Sequence, residues 1–178
     1  LVLESFQSGL SWSTILKKRE AFRTAFASFI PEAVAAFTDQ DRERLMQDAG
    51  IVRNKRKIDA AITNAQAVIA LRAALAAESD AHRAGRMGEA PLRHLLRPRQ
   101  SYPRHLGELV WLYQPNQQPR PKNAGEVPAQ TEESRALSLE LKRRGFVFVG
   151  PVTALALMSA IGIVNTDILG TWKRPLTE

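Results

Sequence analysis

One carboxylate, Glu4, stands in an otherwise uncharged run from Leu1 to Trp12. A glutamate held in a dry site can accept hydrogen bonds from the exocyclic amine of a purine, and an indole such as Trp12 can stack on the purine's face. Residue types alone also allow a plainer outcome, with Glu4 an exposed carboxylate at a helix start and Trp12 a core aromatic. A second cluster lies in Leu45-Met-Gln-Asp-Ala-Gly-Ile-Val-Arg-Asn-Lys-Arg-Lys-Ile58, which reads as a helix, a tight turn at Gly50, and a second helix whose first turn carries Arg53, Lys55, Arg56 and Lys57. Cations at a helix N-terminus oppose the macrodipole, and a phosphate there would reverse the sign. Amides freed by a glycine turn would supply the matching cradle, so Gly50, Arg53, Lys55 and Lys57 are candidate contacts to a nucleic-acid backbone. The alternative is a solvated basic cap on a structural hairpin.

The elements that must position these residues are helical. Ile15, Phe22, Phe26 and Phe29 recur at helical spacing, and Pro31 opens the next segment as a first-turn proline. Thr38-x-x-Asp41 has the form of a capping box ahead of a short helix with Leu45 and Met46. A long helix is expected from about 57 to 77, with Ile58, Ile62, Ala65 and Ile69 on one face. Residues 113 to 128 form a proline-rich connection, a helix follows from about 132 to 144 with Gly145 ending it, and Gly150-Pro151 opens an apolar helix that stops at Gly162. Phe146-Val-Phe-Val149 is the one strand candidate, and it is short. The expected class is all-α.

Composition bounds the function. The 178 residues, 44% of them hydrophobic, can bury a core without disulfides or metals. With no cysteine there is neither a disulfide framework nor a thiolate nucleophile, which suits a reducing cytosol. The longest nearly apolar run, 154 to 164, is half the length of a membrane span, so no membrane is expected. The chain opens on Leu1 inside an apolar pattern, without a charged leader, and is expected to continue upstream. A net charge of +7 points to a polyanion. Much of it lies between 82 and 105, where six arginines (Arg83, Arg86, Arg93, Arg97, Arg99, Arg104) face Glu89 alone. With three prolines and two glycines, this stretch reads as a solvated basic loop inside a Pro-rich insertion or connector over 78–130. His82, His94 and His105 fit no common metal spacing and are expected at the surface.

Leu3-Glu-Ser-Phe-Gln-Ser-Gly-Leu-Ser-Trp12 with Leu16-Lys-Lys-Arg-Glu20, then Asp48 to Ile58, Leu141-Lys-Arg-Arg-Gly-Phe-Val-Phe-Val-Gly-Pro151 and Met158-Ser-Ala-Ile-Gly-Ile-Val-Asn165, closely resemble the 3-methyladenine DNA glycosylase I family, a branch of the helix-hairpin-helix glycosylases. The match runs in order over nearly the whole chain, interrupted at roughly 78 to 130. The resemblance implies a helix-hairpin-helix DNA glycosylase fold over 1–178 as a single domain. It implies excision of 3-methyladenine from double-stranded alkylated DNA, without a catalytic cofactor, by a bacterial cytoplasmic monomer held at the nucleoid through its DNA. It places Glu4 on the pocket glutamate that recognises the methylated base and stabilises it electrostatically, and Trp12 on the stacking tryptophan. Gly9 and Leu10 fall on the segment that fills the gap left by the flipped nucleotide.

Methylation at N3 leaves the adenine cationic and its glycosidic bond weak, so the protein need only extrude the base, hold the cation and admit water. Stacking on an indole favours the cationic ring. No lysine is placed for Schiff-base chemistry.

The family's structural zinc is held by an N-terminal Cys and His, which would lie before Leu1, and a C-terminal His-x-x-x-Cys. Asp167 and Thr171 stand at the C-terminal positions, so no zinc is expected. The upstream segment also supplies a Trp and a Tyr to the family's pocket, and Leu155 stands where some members have a tyrosine. Two other functions stay open: a catalytically inactive helix-hairpin-helix DNA-binding protein, and an interaction domain whose Arg-rich segment binds an acidic partner.

Overall fold

The computed structural model describes residues 1–98 and 100–171; Arg99 of the basic segment and Trp172 at the C-terminal end lie outside them. The described residues hold nine α-helices and no strand of any length: α1 (Val2–Gln7), α2 (Trp12–Lys17), α3 (Arg19–Ala25), α4 (Pro31–Ala35), α5 (Asp39–Gln47), α6 (Lys55–Arg83), α7 (Leu106–Trp111), α8 (Glu132–Arg143) and α9 (Pro151–Ala160). The fold is all-α. Local chemistry sets the starts. Ser11 accepts from the Thr14 amide to begin α2, the Thr38/Asp41 capping box begins α5, and Thr131 with Ser134 forms another at α8. Pro31 and Pro151 take first-turn positions, and Gly145 and Gly162 leave their helices at positive φ.

The 29-residue α6 is the spine. Its N-terminal half packs Ile58, Ile62 and Ala65 into a core with Phe6, Ile15, Phe22, Phe26 and Leu45, from α1, α2, α3 and α5. Its C-terminal half packs Leu71 and Leu75 into a second core with Leu109, Leu137, Leu141 and Met158, from α7, α8 and α9. By length and apolarity α6 could cross a bilayer, contrary to the expectation that no segment could. It is the shared wall of two cores instead. Because the buried face changes partners along the helix, Ile69 is not a core residue as its spacing implies; it is 39% exposed, while Ala67 and Leu71 carry the second core.

Several other expectations are corrected. The residues at helical spacing from Ile15 to Phe29 do not share one helix: α2 and α3 are divided at Lys18, and Ala27, Ser28 and Phe29 all take positive φ and turn the chain sharply ahead of Pro31. Phe146–Val149 is not a strand. Phe148 has φ +55°, and both backbone groups of Val147 are held by the Asn64 side chain, leaving nothing for a ladder.

The 82–105 segment is more than a solvated loop. α6 runs on to Arg83, and Ala90, Leu92 and Tyr102 bury themselves in the second core. The Tyr102 hydroxyl donates to Glu78 (2.6 Å) and accepts from the Leu92 amide (3.2 Å), while Arg144 grips Glu78 through two nitrogens (2.9 and 3.0 Å) and Glu140 through Nε (2.6 Å). Its charge is also partly neutralised, since Arg83, Arg86 and Arg104 pair with Asp80, Glu89 and Glu108. His82 is not a free surface residue either: its Nδ1 is buried and its ring lies 5.6 Å from that of Tyr102.

Candidate functional site

Glu4 sits in the middle of α1, whose Phe6 anchors the helix by meeting the rings of Phe22 and Phe26 edge-on at 4.7 and 5.8 Å. With Phe6 fixed in the core, Glu4 faces a pocket of about 460 Å³ at the junction of the two cores. That volume suits a small planar ligand. Its walls come from α1, α2, α4, α6, α7, α9 and the turn at 27–29, and include Phe29, Val34, Ala65, Val68, Leu106 and Leu157. Small residues of α6, Ala61 and Ala65, leave the space open, and the left-handed turn at 27–29 delivers Phe29 to the wall.

Among the described residues Glu4 is the one charged side chain lining the pocket. It is 6% exposed, and its Oε2 is buried without a hydrogen-bond partner. Burial raises its carboxyl above the usual carboxylate value. Asn64, the other polar side chain in the wall, is already committed, accepting from the Val147 amide (2.8 Å) and donating to the Val147 carbonyl (3.0 Å). An orphaned buried acceptor is costly, and a ligand with N–H donors would satisfy it, a cationic one gaining most.

Trp12, at the first position of α2, is 37% exposed and not the core aromatic that its type allowed. It lines both this pocket and an adjoining one of about 620 Å³ bordered by Ser159, Asn165 and Asp167. Leu155 belongs to that second cavity. Glu4 and Trp12, eight residues apart, thus share one pocket, separated by the turn at Gly9 (φ +81°) and Leu10, whose side chain is 38% exposed.

The hairpin candidates divide. Arg53 and Lys55 are exposed with Arg56 around the start of α6 and join no ion pair among the described residues; the Arg56 guanidinium lies over the exposed Phe148 ring at 5.8 Å. Gly50 is not a free cradle. Its amide donates to Asp48 Oδ1 (2.7 Å), and the Lys18 ammonium takes the carbonyls of Ala49 and Gly50. Glycine is needed there for room, since a Cβ would meet Asp48 Oδ1 at 2.9 Å and Ala21 Cβ at 3.0 Å. Lys57 is corrected too: it is 8% exposed, and its ammonium donates to the carbonyls of Phe6 (3.0 Å) and Ser8 (2.6 Å), pointing inward and away from any phosphate.

The sequence reading missed the apolar walls. Phe29, Val34, Leu106 and Leu157 carry no signal beyond being apolar, and α7, which supplies Leu106, was hidden in the proline-rich stretch.

At the C-terminal positions of the family's metal site, the Thr171 hydroxyl donates to the Ile168 carbonyl (2.8 Å), and the Asp167 amide donates to Asn165. One carboxylate and a committed hydroxyl do not make a zinc donor set. No group of three or more His, Asp or Glu side chains is placed to hold a metal among the described residues.

The model of the methyladenine glycosylase family matches residues 1–86 and 92–174. The chain belongs to the methyladenine glycosylase family. It is 38% identical over 173 residues to DNA-3-methyladenine glycosylase 1 of Escherichia coli, a match covering 96% of this chain and 77% of that protein. It is 34% identical to the DNA-3-methyladenine glycosylase of Haemophilus influenzae, over 94% of this chain and 77% of that one. The solved structure of 3-methyladenine DNA glycosylase I from Staphylococcus aureus, described for its recognition of 3-methyladenine, superposes with a TM-score of 0.76 at 29% identity, covering 98% of this chain and 79% of that one. As a methyladenine glycosylase, the chain keeps the family fold through both cores; the one internal gap in the match is residues 87–91, within the turn-rich segment after α6.

Proposed function

We propose that this chain excises 3-methyladenine from double-stranded alkylated DNA by hydrolysing its N-glycosidic bond, as a monofunctional glycosylase of base excision repair. The orphaned Glu4 carboxylate in an apolar pocket beside Trp12 carries this reading. Glu4 accepts from the exocyclic N6 amine and offsets the charge of the methylated ring, and Trp12 stacks on its face. The bond from C1′ to N9 then breaks with its electron pair leaving on N9, which neutralises the base. Water adds at C1′ and releases a proton. Neutral adenine lacks both the weakened bond and the electrostatic gain, which is how one carboxylate selects the lesion. A protein that only gripped the backbone would gain nothing from a buried acceptor left unpaired.

Gly9 and Leu10 fill the gap in the duplex, and Arg53 and Lys55 hold the backbone. Lys57 has no Schiff-base role, since its ammonium is occupied by two carbonyls. The chain acts as a monomer without structural zinc, away from membranes, in the bacterial cytoplasm and associated there with the nucleoid. The deciding experiment incubates the chain with methylated duplex DNA and separates the released bases by chromatography. Release of 3-methyladenine by the wild-type chain and its loss in Glu4→Gln are expected, and no release from the wild type would sink the reading.

A further inference from the structure

Lys57 does something the excision chemistry does not require. α1 ends at Gln7, so the carbonyls of Phe6 and Ser8 have no helical partner. The Lys57 ammonium, reaching from the first turn of α6, takes both, at 3.0 and 2.6 Å. A cation at the negative end of a helix is well placed, and its burial makes the contact stronger than it would be in water. The rest of the turn is equally fixed. The Leu10 amide donates to the Gln7 carbonyl (2.7 Å), Gln7 Nε2 donates to the Leu10 carbonyl (2.9 Å), and Ser11 caps α2 directly afterwards. Glu4 lies on the same six-residue helix.

We infer that Lys57 is a positioning residue for base extrusion: by clamping the end of α1, it holds Leu10 rigid for insertion into the duplex, while Glu4 keeps its place through the packing of Phe6. The inference rests on the proposed glycosylase function and on the gap-filling role of Leu10. A wedge that enters a base stack must resist being pushed back, because unstacking opposes it. A turn hydrogen-bonded only to itself would yield. Tied to α6, it is backed by the spine of the molecule.

A double-mutant cycle tests this. Lys57→Met and Leu10→Ala, singly and together, are compared for single-turnover release of 3-methyladenine from duplex DNA. Base extrusion is followed by the fluorescence of a 2-aminopurine next to the lesion, and binding of the free base 3-methyladenine by quenching of tryptophan fluorescence. Each single variant should lower extrusion and release by about tenfold, with the double variant no worse than either. Free-base affinity of Lys57→Met should stay within about twofold, because the pocket walls are intact, and Lys57→Arg should recover part of the loss. Additive losses in the cycle overturn the coupling. So does a fall in free-base affinity matching the fall in extrusion, which would mark a general structural role, or a flattened salt dependence of duplex binding, which would mark a phosphate contact. Should Lys57→Met not fold, judged by helical circular dichroism, Lys57→Gln with Leu10→Ala carries the same cycle. If the wild-type chain extrudes the base but releases none, the assigned reaction fails while the extrusion cycle still reads Lys57.

Discussion

Asn64 on α6 holds Val147 as a paired strand would, its side chain meeting both the amide and the carbonyl of that one residue at 2.8 and 3.0 Å. The contact joins the pocket wall to the turn that precedes α9 and leaves Glu4 as the pocket's unclaimed acceptor. Asn64→Ala should therefore destabilise the chain by about 1–3 kcal/mol. The midpoint of urea denaturation measures this, and an unchanged midpoint would mean the turn is held by packing alone.

Glu4→Gln should lower the single-turnover release of 3-methyladenine by about 10²-fold, since an amide keeps the shape but cannot offset the base's charge. Binding to duplex DNA containing an abasic-site analogue should change little, because Glu4 lines the pocket assigned to the base and not the surface assigned to the backbone. A parallel loss of abasic-site binding would move Glu4 out of the pocket chemistry.

Burial raises the Glu4 carboxyl, so the folded chain binds that proton more tightly than the unfolded chain. Linkage then makes the Glu4 contribution to stability fall as pH rises from the ordinary glutamate value of about 4.3 through the raised folded value. Glu4→Gln removes the effect, so its stability relative to wild type should increase across that window. Excision should show the opposite trend in the wild type, rising with pH as the carboxylate forms. Denaturant titrations of both proteins at a series of pH values check the first part, and a pH–rate profile checks the second.

Arg53→Ala with Lys55→Ala should weaken binding to duplexes of any sequence and reduce the slope of log K against log salt by about 0.9 for each phosphate that is no longer neutralised. Lys57 is excluded from this pair because its ammonium points into the protein. A salt slope unchanged from wild type would leave these cations as a solvated cap.

Elemental analysis of the purified chain should find no stoichiometric zinc, and its melting temperature should not respond to chelators. A carboxylate at Asp167 beside a hydroxyl already spent on Ile168 gives the metal one adequate ligand. Bound zinc, with a drop in melting temperature on chelation, would require donors from elsewhere.

The sequence was legible where a local rule decides the outcome. The Thr38/Asp41 box, the first-turn prolines and the glycine after α8 are short-range chemistry, and the structure has each of them in its expected place. Glu4 stood out because a charge in an apolar run must be either solvated or used. What failed depended on long-range partners. Lys57 reads like its basic neighbours until α1 is seen beneath it, Ile69 keeps the period of Ile62 while the core it would face has ended, and Tyr102 looks stranded among arginines until Glu78 and Arg144 close over it. The pocket walls were invisible for a different reason: apolar residues that line a cavity have the composition of those that fill a core.

The helix α6 carries the cations at its start, the clamp on α1 within its first turn, and the pocket wall at Ala61, Asn64 and Ala65. At 1.5 Å per residue, Lys55 and Ala65 are separated by about 15 Å along one rod. On the proposed function, the chain is a fixed gauge, in which the cations assigned to the backbone and the pocket assigned to the base cannot move closer together. A nucleotide that bulged only part way from its helix would then not reach Glu4 however tightly the DNA were held, so that discrimination would begin with how far a base can swing, before any atom of it is recognised.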